Sequence, residues 1–156
     1  NHLRNLSEIG AKEFWRIVFR ELRQESRADA FSDLLDTFPQ GQINTEILPI
    51  IWQLKKQGYR MGLLSNNSLA GATEARAAGV DALFDVTIFS AEVGVMKPDP
   101  KAFELLANRL AVPLDAMVFI DDTEKSLARA DEAGFVPVLY RGIETLVDDL
   151  KKLGLY

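Results

Sequence analysis

Apolar side chains recur at helical spacing over residues 7–23, where Phe14, Trp15, Val18, Phe19 and Leu22 form one stripe. Ser7 suits the N-cap of that helix, although Gly10 three residues on rules out a full capping box. A shorter helical stretch carries Phe31, Leu34 and Leu35 and ends at the breaker cluster Phe38-Pro39-Gln40-Gly41. Residues 1–45 therefore read as a helical module. Its aromatic stripe suits packing better than a cofactor site.

The rhythm then changes. Pro49 predicts the first turn of a helix reaching about Gln57, with Gly58 as its C′ residue. Short apolar runs at 59–64, 86–89 and 117–120 read as strands, separated by helices over 69–78 and 100–110. The run Met117-Val118-Phe119-Ile120 has no polar position, as in a strand covered on both faces. A helix over 125–133 closes at Gly134. A strand over 136–140 follows, with Pro137 marking it as an edge, and a last helix spans 143–153. Alternating strands and helices of this length predict right-handed βαβ units and a parallel, Rossmann-like sheet over residues 46–156.

Composition narrows the functions. The 156 residues are 47% hydrophobic, enough for one ordinary core, and no run approaches the ~18 apolar residues of a membrane span. Asn1 to Gly10 hold no apolar segment of a secretory leader. There is no cysteine, which excludes disulfides and thiolate sites and permits a cytoplasmic address. A net charge of −5 without a basic stripe argues against nucleic acid as a partner. The pattern is silent on oligomeric state.

In parallel α/β sheets, ligands gather at the carboxyl ends of the strands. Three such ends carry candidate chemistry. Ser65-Asn66-Asn67-Ser68 leads into a helix and offers a hydroxyl and successive amides, either as an anion site or as a plain N-cap. Lys97 lies in a loop stiffened by Pro98 and Pro100 after Gly94, placed either to present a point charge to phosphate or to face solvent. Asp121 and Asp122 end the most apolar strand. Adjacent carboxylates there repel each other, and a hard cation such as Mg²⁺ relieves that repulsion, although one could instead cap the next helix.

Together, Leu63-Leu64-Ser65-Asn66, Gly94-Val95-Met96-Lys97-Pro98-Asp99-Pro100 and Val118-Phe119-Ile120-Asp121-Asp122 resemble the motifs of the haloacid-dehalogenase superfamily over about residues 46–145. Ala130 and Ala133-Gly134 fit the helix after the acids, and residues 1–45 resemble part of a helical cap. The resemblance implies a phosphatase acting on a small phosphorylated metabolite through an aspartyl-phosphate. In that scheme Ser65 and Asn66 bind the phosphoryl group, Lys97 pairs with its oxygens, and Asp121 and Asp122 hold Mg²⁺. Within the same superfamily, a metal-free 2-haloacid dehalogenase is the alternative, and the acid pair argues against it. A non-catalytic binding protein is a further alternative. A two-component receiver domain has the acids before the lysine, the reverse of the order here.

Two departures stand out. Ser126 occupies a position where relatives often carry asparagine. The family's first motif, an apolar strand ending in Asp-x-Asp, has no counterpart, since Asp33-Leu34-Leu35-Asp36 has the wrong spacing in a helical context. The expectation is that this strand belongs just upstream of Asn1, between the strands ending at Leu64 and Ile120. Its absence would open a gap of roughly 9–10 Å between them. On that expectation the chain alone is unstable or rearranged, and inactive.

Overall fold

A computed structural model describes residues 44–77 and 79–156, together with Arg16 and Arg20, which have helical backbone. Apart from those two arginines and the residues from Asn44 on, the helical module expected over 1–45 lies outside the described residues.

A 3-10 turn, Thr45–Ile47, runs into helix α1, Leu48–Lys56. Pro49 sits in its first turn as predicted, where a missing N–H costs nothing. The helix ends as the sequence implies. Gly58 takes φ +92°, its amide bonds to the Lys55 carbonyl (3.0 Å), and the Tyr59 amide reaches the Leu54 carbonyl (3.2 Å). These two bonds form a Schellman cap.

The first strand, β1, spans Gly62–Ser65, shorter than the predicted 59–64 at its start. The residues before it are engaged elsewhere. The Tyr59 amide belongs to the helix cap, the Arg60 guanidinium donates to the Leu110 carbonyl, and the Met61 amide donates to Asp85 Oδ2 (2.8 Å). Helix α2, Leu69–Ala77, leads through a 3-10 turn to β2, Val86–Phe89. A single helical turn follows, α3, Ser90–Val93, which the hydrophobic pattern did not predict. Helix α4, Pro100–Leu110, has the predicted bounds and is capped by Asp99, whose Oδ1 accepts from the Lys101 amide (3.0 Å). Strand β3 spans Val118–Asp121. The single helix expected over 125–133 is two short ones, α5 (Glu124–Leu127) and α6 (Ala130–Ala133), broken at Arg129, whose φ of −114° and ψ of 24° are not helical. Strand β4, Val136–Leu139, and helix α7, Ile143–Lys152, complete the described elements.

Among the described residues the strands form two parallel pairs rather than one ladder. Gly62 to Ser65 of β1 pair with Val86 to Phe89 of β2, and Val118 to Asp121 of β3 pair with Val136 to Leu139 of β4. β1 and β3 are not hydrogen-bonded to each other. Among the described residues each therefore has one edge without a ladder partner. β4 pairs only with β3, consistent with the edge role of Pro137.

Apolar packing joins the two pairs. One core cluster contains Leu64 and Ile88 of the first pair, Phe119 of the second, and Phe103, Leu106 and Leu110 of α4. On the other face, Ile50 and Leu54 of α1 meet Val138, Leu146 and Leu150, with Met61, Val118 and Ile120 packed alongside. Alternation along β3 sends Phe119 to one layer and Val118 and Ile120 to the other, giving an α/β/α sandwich.

Gly62 shows how closely α4 approaches. A Cβ there would lie 2.8 Å from Leu106 Cδ1 and 2.9 Å from Leu110 Cδ1, both on buried side chains. Gly62→Ala is therefore expected to destabilise the fold by about 1 kcal/mol in urea unfolding, overpacking outweighing the gain from a stiffer unfolded chain. Stabilisation by the alanine would contradict this packing.

Candidate active site

Parallel pairing brings the carboxyl ends of β1 and β2 together, and the ion pair of Lys97 with Asp121 places the carboxyl end of β3 beside them. Ser65 is the last residue of β1, opposite Phe89, and is partly buried. The next residue, Asn66, reaches across to the loop after β2. Its Nδ2 donates to the Lys97 carbonyl (2.9 Å) and its Oδ1 accepts from the Lys97 amide (2.8 Å). The Lys97 side chain, 11% exposed, points its ammonium at Asp121 Oδ2 and forms an ion pair there; the Asp121 side chain is 7% exposed. The same ammonium lies 5.4 Å from the centre of the Phe119 ring.

The other oxygen of Asp121 accepts from the Thr123 amide (2.9 Å) and the Thr123 hydroxyl (2.7 Å). That hydroxyl lies 2.7 Å from Ser126 Oγ. Thr123 has one hydroxyl proton, so Ser126 donates in the second bond. Burial by itself would raise the Asp121 carboxyl. The Lys97 ammonium and the donors of Thr123 outweigh it and hold the group below its ordinary value. Asp122 is exposed.

The structure thus joins three of the predicted residues, Asn66, Lys97 and Asp121, in one bonded chain. Ser65 and Asp122 adjoin it in sequence, and no side-chain hydrogen bond ties either to it among the described residues. Lys97 is not the solvated lysine that its loop allowed. Lys97 offsets the charge of Asp121, one of the two paired acids. Among the described residues no cluster of three or more metal-ligating side chains occurs. The donor chemistry still suits Mg²⁺, since one carboxylate is held ionised and its neighbour faces solvent. Mg²⁺ commonly takes one or two carboxylates and fills its shell with water and substrate oxygens. Two shallow grooves, of about 370 and 420 Å³, lie elsewhere, against β4 and α7 and at the amino end of β1, and touch none of these residues.

Sequence reasoning missed Ser90 and Thr123. Ser90 is 8% exposed and is the buried polar residue of the described core. Its Oγ accepts from the Asn67 amide (3.0 Å) and donates to the Asn67 carbonyl (3.2 Å). The signal was present, because Ser90 follows an apolar strand as Ser65 does.

The fold is a parallel α/β sandwich with a lysine–aspartate pair at its strand ends, and similarity to known proteins gives the family. Residues 4–134 match the family model for haloacid dehalogenase-like hydrolases. Phosphatase MT3486 of Mycobacterium tuberculosis is 31% identical over 148 residues, 91% of this chain and 68% of that protein. Glyceraldehyde 3-phosphate phosphatase of Methanopyrus kandleri is 31% identical over 98 residues, 62% of this chain and 42% of that protein. The crystal structure of a HAD phosphatase from Thermococcus onnurineus shares the fold with a TM-score of 0.62 at 20% identity, covering 97% of this chain and 92% of that one. The chain belongs to the haloacid dehalogenase-like hydrolases. No helix among the described residues is long and apolar enough to cross a membrane.

Proposed function

We propose that the protein is a Mg²⁺-dependent phosphatase of small phosphorylated metabolites. The observation that carries this reading is the nearly buried Lys97–Asp121 pair at the carboxyl ends of the strands. A fixed ammonium in a poorly solvated place is worth far more to a phosphoryl group than one in water. Ser65 would hold a phosphoryl oxygen by its hydroxyl, helped by the Asn66 amide, and Lys97 would offset charge on the others. Asp121 and Asp122 would hold Mg²⁺, which supplies charge neutralisation at the transferring group.

Charge balance supports the metal. Lys97 and the two aspartates leave the site one net negative charge, and a phosphoryl group adds more. A divalent cation would turn the site's own charge to one net positive before the phosphoryl group binds. The phosphatase names of two relatives support the substrate class. The reaction would pass through an aspartyl-phosphate. No Asp-x-Asp segment precedes Ser65 in these 156 residues, so this chain by itself is expected to be inactive.

The test is release of inorganic phosphate by the complete protein from a panel of small phosphate esters. Release is expected with Mg²⁺, with loss on chelation. Lys97→Ala should lower kcat/KM by about 10²–10³-fold. Metal-independent halide release from 2-haloacids would replace this reading with a dehalogenase. Neither activity would leave a binding protein.

A further inference from the structure

We propose that Asn66 and Ser90 are positioning residues that hold Lys97 at the site by two reciprocal side-chain clamps. The purpose given to Lys97 rests on the phosphatase reading; the clamps themselves are a property of the folded chain.

Each clamp satisfies both backbone groups of one residue. Asn66 accepts from the Lys97 amide and donates to the Lys97 carbonyl, as a neighbouring strand would. Ser90 treats Asn67 in the same way, through one hydroxyl. The Ala91 amide adds a bond to the Asn67 carbonyl (3.3 Å). The two clamps run in opposite directions across one seam. A side chain after β1 grips the Lys97 loop, and a side chain after β2 grips the turn that bears Asn66. Lys97 cannot shift along the turn after β1 without breaking the first clamp, and that turn cannot shift along the end of β2 without breaking the second.

The residue types are those the task needs. A carboxamide carries a donor and an acceptor side by side, matching one residue's C=O and N–H. Aspartate supplies only acceptors, and glutamine is one methylene longer. A serine hydroxyl can accept and donate at once, and at 8% exposure Ser90 has little water to use instead. Lysine has a long, flexible stem. Anchoring its backbone at both polar groups restricts where the ammonium can go, and Asp121 then fixes the far end.

The test uses the same complete protein, with NMR of the Lys97 ammonium, the Lys97 and Asn67 amides, and thermal melts. An ammonium held away from water gives a signal that a freely solvated one loses to exchange. In Asn66→Ala, the Lys97 amide should exchange at least about tenfold faster and the Lys97 ammonium signal should fade, while the melt remains cooperative. Asn66→Asp, which keeps the acceptor alone, should protect the Lys97 amide more than alanine does. Ser90→Ala should release the Asn67 amide and weaken the Lys97 ammonium signal, and it carries the test if Asn66→Ala does not fold. Unchanged Lys97 signals in a folded Asn66→Ala or Ser90→Ala would overturn the proposal. Activity of the complete protein enters none of these readouts, so failure of the phosphatase reading would leave them standing.

Discussion

Asp121→Ala is expected to destabilise the chain by about 3 kcal/mol in urea unfolding at neutral pH. The loss comes less from the missing attraction than from what remains. Lys97 is 11% exposed, and without Asp121 its ammonium has no ion-pair partner among the described residues. The figure lies at the low end of the range for broken buried pairs because a lysine stem can carry its charge toward water. The Thr123 amide and hydroxyl also lose their acceptor. Adding Lys97→Met to Asp121→Ala should recover most of the stability, since the pair is then replaced by apolar atoms. If the double variant is no better than the single one, the unpaired charge is not the cause.

The same pair gives a pH dependence with a definite sign. The Asp121 carboxyl is held below its ordinary value of 3.8 in the folded chain. Its contribution to stability is therefore full above that value and is lost as pH falls through the depressed one.

Phe103→Ala is expected to cost about 3–5 kcal/mol, enough to unfold much of the population at moderate temperature. Phe103 is fully buried on α4. Its ring meets Phe119 edge-on at 5.0 Å and lies 4.4 Å from Phe135, and Phe119 and Phe135 are 5.7 Å apart. Among the described residues no strand ladder joins the β1–β2 pair to the β3–β4 pair, so apolar contact beneath them, together with the Lys97–Asp121 ion pair, holds the halves together. Removing the ring opens a cavity at that junction. Phe103→Leu should lose much less. An alanine variant within about 1 kcal/mol of the parent in calorimetry would mean that the halves cohere by other contacts.

Local signals carried much of the fold. The bounds of β2 and α4 follow directly from an apolar run and from a proline start ending in a leucine, and the cap at Gly58 follows from the need for positive φ. These features depend on neighbours along the chain. The start of β1 did not follow, because Arg60 and Met61 are claimed by Leu110 and Asp85, residues far away in sequence. The break at Arg129 and the turn at Ser90 escaped for a similar reason. Four-residue helices show too little periodicity to read, and their bounds come from what they pack against.

The candidate site divides along the same line. Ser65, Asn66, Lys97, Asp121 and Asp122 were legible from residue type and from position after apolar strands, because parallel topology makes strand ends meet. Which of them touch was not legible. A lysine in a stiff loop reads as exposed until the fold brings Asp121 to it, and an asparagine beside a helix start reads as a cap until a loop 31 residues away supplies both partners. By itself, then, the chain's pattern determined the order of the strands and of the longer helices, the family resemblance and the residues that carry charge. Only the tertiary structure decided that one carboxylate is neutralised by Lys97 while its neighbour stays in water, because burial and pairing depend on distances through space that sequence spacing does not contain.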